Sequence, residues 1–290
     1  MRTTLLRTLT MMVMVAFTAS AFAQINAPRP SPTATMEQVV GVTNFSVNYS
    51  RPGVKERKIF GELVPFDKVW RTGANSATTI TTDGDYKLAG QLVKAGSYAL
   101  YTIPGEAEWT VMLYSDLKLG GNVAKYDEKN EVVRFTTKPR SLNDPLESFT
   151  IDFSAFHDNG AVITIAWANT AIDLPIEVDT DAKLQAQIRE QLIEGEGKDI
   201  EANTYHTAAQ FYHKWNKDLE QALAWMNKSI EMRPDAFWYV HRQAKLLKDM
   251  GKIEEAKAAA NKSMEMAKAN EDGDFGYIKR NQDLLAELEK

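Results

Sequence analysis

Between Arg51 and Asn75 the chain reads RPGVKERKIFGELVPFDKVWRTGAN, gathering Arg51, Lys55, Arg57, Lys58, Lys68 and Arg71 with Trp70 and Asn75. A guanidinium is a rigid fork of N–H donors that matches carboxylate, phosphate or sulfate, and an indole can stack on a ring or sugar face. Arg51, Arg57, Arg71 and Asn75 are therefore the candidate ligand contacts, and an anionic small molecule or a glycan is the candidate ligand. The competing reading is structural: the arginines pair with Glu56, Glu62 or Asp67 and pin a long loop, because ion-pair networks imitate sites. If residues 68–72 are extended, Trp70 and Arg71 point to opposite sides, which favours Trp70 in the core and Arg71 outward. Gly73 and Asn75 fit a turn that needs positive φ.

Little else points to catalysis. His157, His206, His213 and His241 are scattered, and the pair seven residues apart, His206 and His213, has no third ligand beside it, so neither a metal site nor a cofactor is expected. No G-x-S-x-G, H-E-x-x-H or glycine-rich phosphate loop occurs. A hydrolase of an envelope glycan or phosphorylated metabolite, with Asp67 or Glu62 as acid or base beside the arginines, is the enzymatic alternative. A purely structural scaffold is the third.

The formal net charge of -5 over 290 residues opposes general nucleic-acid binding, so basic groups must act locally. With no cysteine in the chain, disulfides, thiolate metal sites and a lipidated cysteine are excluded. Residues 1–23 combine Arg2 and Arg7, an apolar run from Leu9 to Phe17, and Ala21-Phe22-Ala23, the pattern of a cleaved secretory signal. Its apolar run is shorter than the roughly 20 residues that span a bilayer. The expectation is an exported protein, periplasmic or secreted, with no stable membrane anchor after cleavage.

The elements that must position these groups fall into two halves, an α+β multidomain arrangement. After an extended proline-bearing leader over 24–35, residues 36–178 carry period-two strand patterns: Val42 to Tyr49, Ala77 to Thr82, Tyr98 to Ile103, Trp109 to Ser115, Val132 to Lys138, Phe149 to Ser154, Ala161 to Ala168 and Ala171 to Val178. Turn signals separate them and no helical period intervenes, so this half is an antiparallel sandwich or barrel. From Asp179 the period becomes helical. A linking helix and hinge occupy 179–202, with Leu184, Ile188 and Leu192 four apart, Asp179 or Asp181 as cap, and Gly195-Glu196-Gly197 as the hinge.

The β half resembles a known family. Tyr49-Ser50-Arg51-Pro52, Arg57-Lys58-Ile59-Phe60-Gly61, Leu63-Val64-Pro65, Trp70-Arg71-Thr72-Gly73-Ala74-Asn75 and Ala95-Gly96-Ser97-Tyr98-Ala99-Leu100 with Ile103-Pro104 follow one another as in the domain-of-unknown-function 2911 family, found mostly in exported Bacteroidetes proteins. The resemblance implies an all-β domain from about Ser31 to Val178 and brings no established activity. Glu56 stands where the family usually has Gly and Phe66 where it has Tyr, and Gly120-Gly121-Asn122 replaces a usual Trp-Gly.

Residues 203–290 repeat themselves. Asn227-Lys228-Ser229-Ile230-Glu231-Met232 recurs 34 residues later as Asn261-Lys262-Ser263-Met264-Glu265-Met266, with Ala222 matching Ala256 and Tyr205 matching Tyr239. That helical period resembles the tetratricopeptide repeat. Two repeats, Asn203 to Ala236 and Phe237 to Asn270, are followed by a capping helix from Phe275 to Lys290. Because roughly three repeats are needed for stability, the linking and capping helices must complete the stack. The first helix of each pair would line a concave groove with Phe211, Lys214 and Trp215, then Trp238, His241, Lys245 and Lys248, suited to a protein or acidic peptide. The plainer reading packs these aromatics on the linking helix or the β domain.

Overall fold

The computed structural model describes residues 27–195 and 199–290. The expected signal peptide and the Glu196-Gly197 part of the hinge lie outside them. The chain divides into two compact units after Val178.

The first unit is a sandwich of two open antiparallel sheets. One has six strands in the order β1-β2-β3-β6-β7-β8: β1 Thr33–Val40, β2 Thr43–Ser50, β3 Thr78–Thr82, β6 Gly96–Ile103, β7 Trp109–Tyr114 and β8 Glu131–Thr137. The other has four, in the order β5-β4-β10-β9: β4 Tyr86–Leu88, β5 Gln91–Val93, β9 Arg140–His157 and β10 Gly160–Val178. Alternation sets the faces. Phe45, Val47 and Tyr49 of β2, Leu100 of β6 and Val111 and Leu113 of β7 meet Phe149, Ile151 and Phe153 of β9 and Ile163, Ile165, Ile172 and Leu174 of β10 in one buried core. The expected strands Ala161 to Ala168 and Ala171 to Val178 are one bulged strand, β10. β1 was expected as leader up to residue 35. It pairs instead along its whole length with β2, from Thr33 opposite Ser50 to Val40 opposite Thr43.

The six-stranded sheet also buries part of its outer face. Ala99, Tyr101, Met112 and Tyr114 form a second cluster with Leu119, Val123 and Tyr126 from the β7–β8 connection. The Tyr101 hydroxyl donates to Gly120 O at 2.7 Å, and burial pushes its pKa up to about 12, so it remains a donor.

The second unit is helical: α1 Thr180–Ile188, continued by a π-helical turn Arg189–Ile193, then α2 Ala202–Lys214, α3 Leu219–Met232, α4 Phe237–Asp249, α5 Ile253–Ala269 and α6 Tyr277–Leu288. The Asp179 carboxylate accepts from Ala182 N and caps α1. Ala222 and Ala256 are fully buried, as the close approach of paired helices requires. Ile188 of α1 packs on Ala208 and Phe211 of α2, while Leu284 and Leu288 of α6 pack on Val240, Ala244 and Leu247 of α4. The linking and capping helices thus close the two ends of the stack.

Two histidines are buried here. His206 stacks on Tyr239 with centroids 3.8 Å apart, and burial, aided by the Arg242 charge, lowers its pKa to about 4. His241 Nδ1 lies 2.8 Å from Asn281 Oδ1. The Asn281 amide in turn donates to Ser263 Oγ, which donates to Phe237 O, tying α4, α5 and α6 together. Burial also lowers the His241 pKa, and the neighbouring cations of Arg242, Lys245 and Arg280 push the same way against the Asn281 bond. A histidine held neutral in the fold takes its proton first in the unfolded chain. The helical unit therefore keeps its full stability above about pH 6.5 and loses it as pH falls toward 4, by at most about 3 kcal/mol at His206. Urea unfolding followed by circular dichroism between pH 7 and 4 should show this loss, and His206→Phe should flatten it.

Candidate functional site

The stretch from Arg51 to Asn75 leaves β2 and enters β3 after bridging the two sheets at one end of the sandwich. On one side Phe149 N donates to Pro52 O (2.9 Å) and Val54 N to Glu147 O (2.7 Å), beside β9. On the other Trp70 and Thr102 exchange both backbone hydrogen bonds (2.7 and 2.9 Å), continuing the pairing of β6. Trp70 anchors the span. Its ring packs against Phe60, Trp109 and Phe149, and stacks on Trp167 with centroids 6.1 Å apart and planes 15° apart. Its indole N–H donates to Gly73 O.

Backbone strain is concentrated in this span. Lys55, Glu56, Asp67, Thr72 and Asn75 all have positive φ, from 47° to 60°. Thr72 is the costliest, being β-branched and fully buried. Its backbone O accepts from Thr78 Oγ1, and its own hydroxyl lies 3.1 Å from Thr102 Oγ1. Val54 to Arg57 form a turn, Arg57 N donating to Val54 O, with positive φ at both central residues, Lys55 and Glu56. That geometry is the type I′ turn, which ordinarily takes Asn-Gly. The usual glycine at Glu56 thus has a conformational reason.

The turn folds Arg57 back on itself. Its Nε donates to Val54 O at 3.0 Å and its Nη2 to Gly53 O at 2.6 Å. Arg71 Nη1 donates to Asn75 O at 3.1 Å and reaches Gly121 O at 3.5 Å. A Cβ on Gly121 would collide with Arg71 Nη1 and Asn75 O, so the glycine that replaces the usual Trp-Gly makes room for the guanidinium. Each guanidinium carries more donors than these carbonyls consume.

Lys55, Arg57 and Arg71 border a cavity of about 280 Å³. Pro52 and Gly53, Leu63 and Val64, and Trp70, Gly73 and Ala74 supply most of the rest of its wall; Trp167 of β10 supplies another side, and Pro30 and Ser31 close it from the N-terminal segment. No carboxylate lines it among the described residues. The ion pairs of the competing reading are not formed: Glu62 faces Lys58 at 3.4 Å, Glu56 and Asp67 are exposed, and none of the three arginines has a carboxylate partner among the described residues.

Of the four expected contacts the structure brings Arg57 and Arg71 to the cavity. Arg51 turns to β9, donating from Nε to Phe149 O (3.1 Å) and from Nη2 to Thr150 Oγ1 (2.9 Å). Asn75 donates to Ser31 O (3.3 Å) and Ser50 Oγ (3.2 Å), so it holds the N-terminal wall in place. Trp70 and Arg71, expected on opposite sides, both line the cavity. Sequence reasoning missed Trp167, which at 2% exposed is a core residue and a wall at once, and the leader residues Pro30 and Ser31.

The helical groove is regrouped more strongly. Phe211 is buried under α1, and Trp215 lies beside it, as the plainer reading held. His241 is buried in the Asn281 network. Trp238 carries the Arg233 guanidinium over its ring at 4.9 Å, Lys248 pairs with Glu287 at 2.7 Å, and Lys214 is exposed on α2. Of the expected set, Lys245 and the buried His241 line an open groove of about 480 Å³ between α4 and α6, with Arg242, Tyr277, Arg280, Asp283, Leu284 and Glu287 as the neighbours that sequence reasoning had not chosen.

Glu56→Gly should relieve the strained turn and raise the stability of the β unit by about 0.5–1 kcal/mol. Its chemical-denaturation midpoint, compared with that of Glu56→Ala, measures this; the alanine variant should show no gain.

Residues 202–236 and 239–270 match the model of the tetratricopeptide repeat, at the two helix pairs α2–α3 and α4–α5. No curated protein matches the chain. Residues 31–176, which contain β1 to β9, most of β10 and the cavity wall except Pro30, match the family described as protein of unknown function (DUF2911), and the chain belongs to that family.

Proposed function

We propose that this chain is an exported, non-enzymatic binding protein whose β unit captures a small anion or anionic glycan and whose helical repeat contacts another protein. The observation that carries the first part is the meeting of Lys55, Arg57 and Arg71 around one cavity that no described carboxylate lines. A cation already neutralised by an internal ion pair gains little from a ligand. Here the hydrogen-bond partners of both arginines are carbonyls, which orient the guanidinium without an ion pair. The signal-like residues 1–23 support export. The hydrolase alternative has less support, because Asp67 and Glu62 stand outside the cavity lining.

Titration calorimetry with sulfate at low ionic strength tests the anion site. Wild-type protein should bind saturably, and Arg57→Ala should weaken binding about tenfold, the effect of losing one charge-assisted contact. Unchanged binding in Arg57→Ala and Arg71→Ala would remove the reading.

For the helical repeat, the groove between α4 and α6 favours a peptide rich in carboxylates. Arg242, Lys245 and Arg280 border it, and none has an ion-pair partner among the described residues, whereas the two carboxylates that also line it, Asp283 and Glu287, are paired with Lys279 and Lys248. Lys245→Glu should weaken binding of an acidic model peptide, such as a tetraglutamate, at least fivefold in fluorescence anisotropy, with the melting temperature of the helical unit unchanged.

A further inference from the structure

The wall of the cavity in the β unit is sorted by chemistry in a way that narrows its ligand further than charge alone. Among the described residues, every charged group at the wall is a donor without acceptor capacity: Lys55, Arg57 and Arg71. Carbonyls near them are already engaged, Gly53 O and Val54 O by Arg57, Asn75 O by Arg71, and Gly73 O by the Trp70 indole. Glu147, across from Gly53 on β9, gives its Oε1 to the Lys55 backbone N–H. Among the described residues, Ser31 is the one at the wall with a hydroxyl. A sugar ring presents several hydroxyls that donate as well as accept, and a site for it needs side-chain acceptors in comparable number. This wall lacks them.

Beside these groups the wall also presents hydrocarbon. Pro30, Pro52, Leu63 and Val64 contribute apolar surface. The indole N–H groups of Trp70 and Trp167 donate to Gly73 O (3.1 Å) and Glu147 O (3.4 Å), so what the two rings offer the cavity is carbon. At about 280 Å³ the cavity lies just below the roughly 300–1,000 Å³ range of small-molecule sites. That volume suits one or two fused rings with a single anionic substituent.

Resting on the anion-site reading above, we propose that the cavity between Arg57, Arg71, Trp70 and Trp167 takes a small aromatic carboxylate, with the carboxylate on the free guanidinium donors and the ring against the tryptophan and proline wall. The same donors grip an isolated carboxylate or a uronic acid, and the apolar wall separates these cases. Only a ligand with an unsolvated hydrocarbon body gains from burying itself there.

Titration calorimetry on the full chain with 2-naphthoate, 2-naphthalenemethanol, glucuronate and sulfate tests the assignment. 2-Naphthoate should bind at least tenfold more tightly than each of the others. Arg57→Ala should lower its affinity about tenfold. Leu63→Gln, at a position 45% exposed and tolerant of a polar side chain, should lower 2-naphthoate affinity severalfold and leave sulfate affinity unchanged. Glucuronate or sulfate binding as tightly as 2-naphthoate overturns the aromatic assignment while the anion site stands. Equal binding of 2-naphthalenemethanol overturns the carboxylate contact. Binding of none of the four overturns the anion site itself.

Discussion

The seating of Trp70 is the constraint on which the β unit's cavity depends. Through its backbone pair with Thr102 it continues the six-stranded sheet, and through its ring, stacked on Trp167, it reaches the four-stranded one. One residue thus fixes the stretch from Arg51 to Asn75 across the end of the sandwich. An aromatic cluster of this size contributes both area and preferred edge-to-face geometry, enough to offset strained residues nearby that cost about 1–3 kcal/mol each. The strain turns the chain at Lys55-Glu56 and at Thr72-Gly73, and those two turns aim Arg57 and Arg71 at the same space.

Carbonyl groups do for these arginines what carboxylates do in a structural ion pair, with a different electrostatic result. Val54 O and Gly53 O fix Arg57; Asn75 O and Gly121 O fix Arg71. Dipoles orient the fork without cancelling its charge, so the positive potential is kept for whatever enters. Support reaches back through the outer face of the sheet. Tyr101, packed with Tyr114 and Tyr126, holds Gly120 O and thereby the backbone that presents Gly121 to Arg71. Arg51, by contrast, joins β2 to β9, a structural use of the same side chain.

Much of this was legible in the sequence, for identifiable reasons. A period of 34 is a repeated constraint and reads clearly, so both helix pairs fall where it placed them. β2 and β3 alternate cleanly because one face of each meets the core, whereas β6 and β7 are buried on both faces and read as strands by their apolar and aromatic content. β1 was hidden because it is an edge strand whose core-facing side is only half-buried and which follows three prolines. The basic stretch pointed to a candidate site through composition. Which arginines border the cavity depended on turn geometry that residue type does not encode; Lys-Glu occupies a turn built for Asn-Gly. Trp167 lies far along the chain and reads as core by periodicity, which it is. His241 has the spacing of a groove residue, but the docking of α6 buries it against Asn281, a tertiary effect that helical period alone does not carry.

The central claim is that the Arg57 and Arg71 side chains keep free donors facing an open cavity while Arg51 is structural. Side-chain Nε–Hε nuclear magnetic resonance of assigned arginines, followed while 2-naphthoate is added, tests it most directly. The account predicts saturable shifts at Arg57 and Arg71 with a common dissociation constant and an unmoved Arg51. Shifts of equal size at all three, growing linearly with ligand, or none at Arg57 and Arg71, would contradict it.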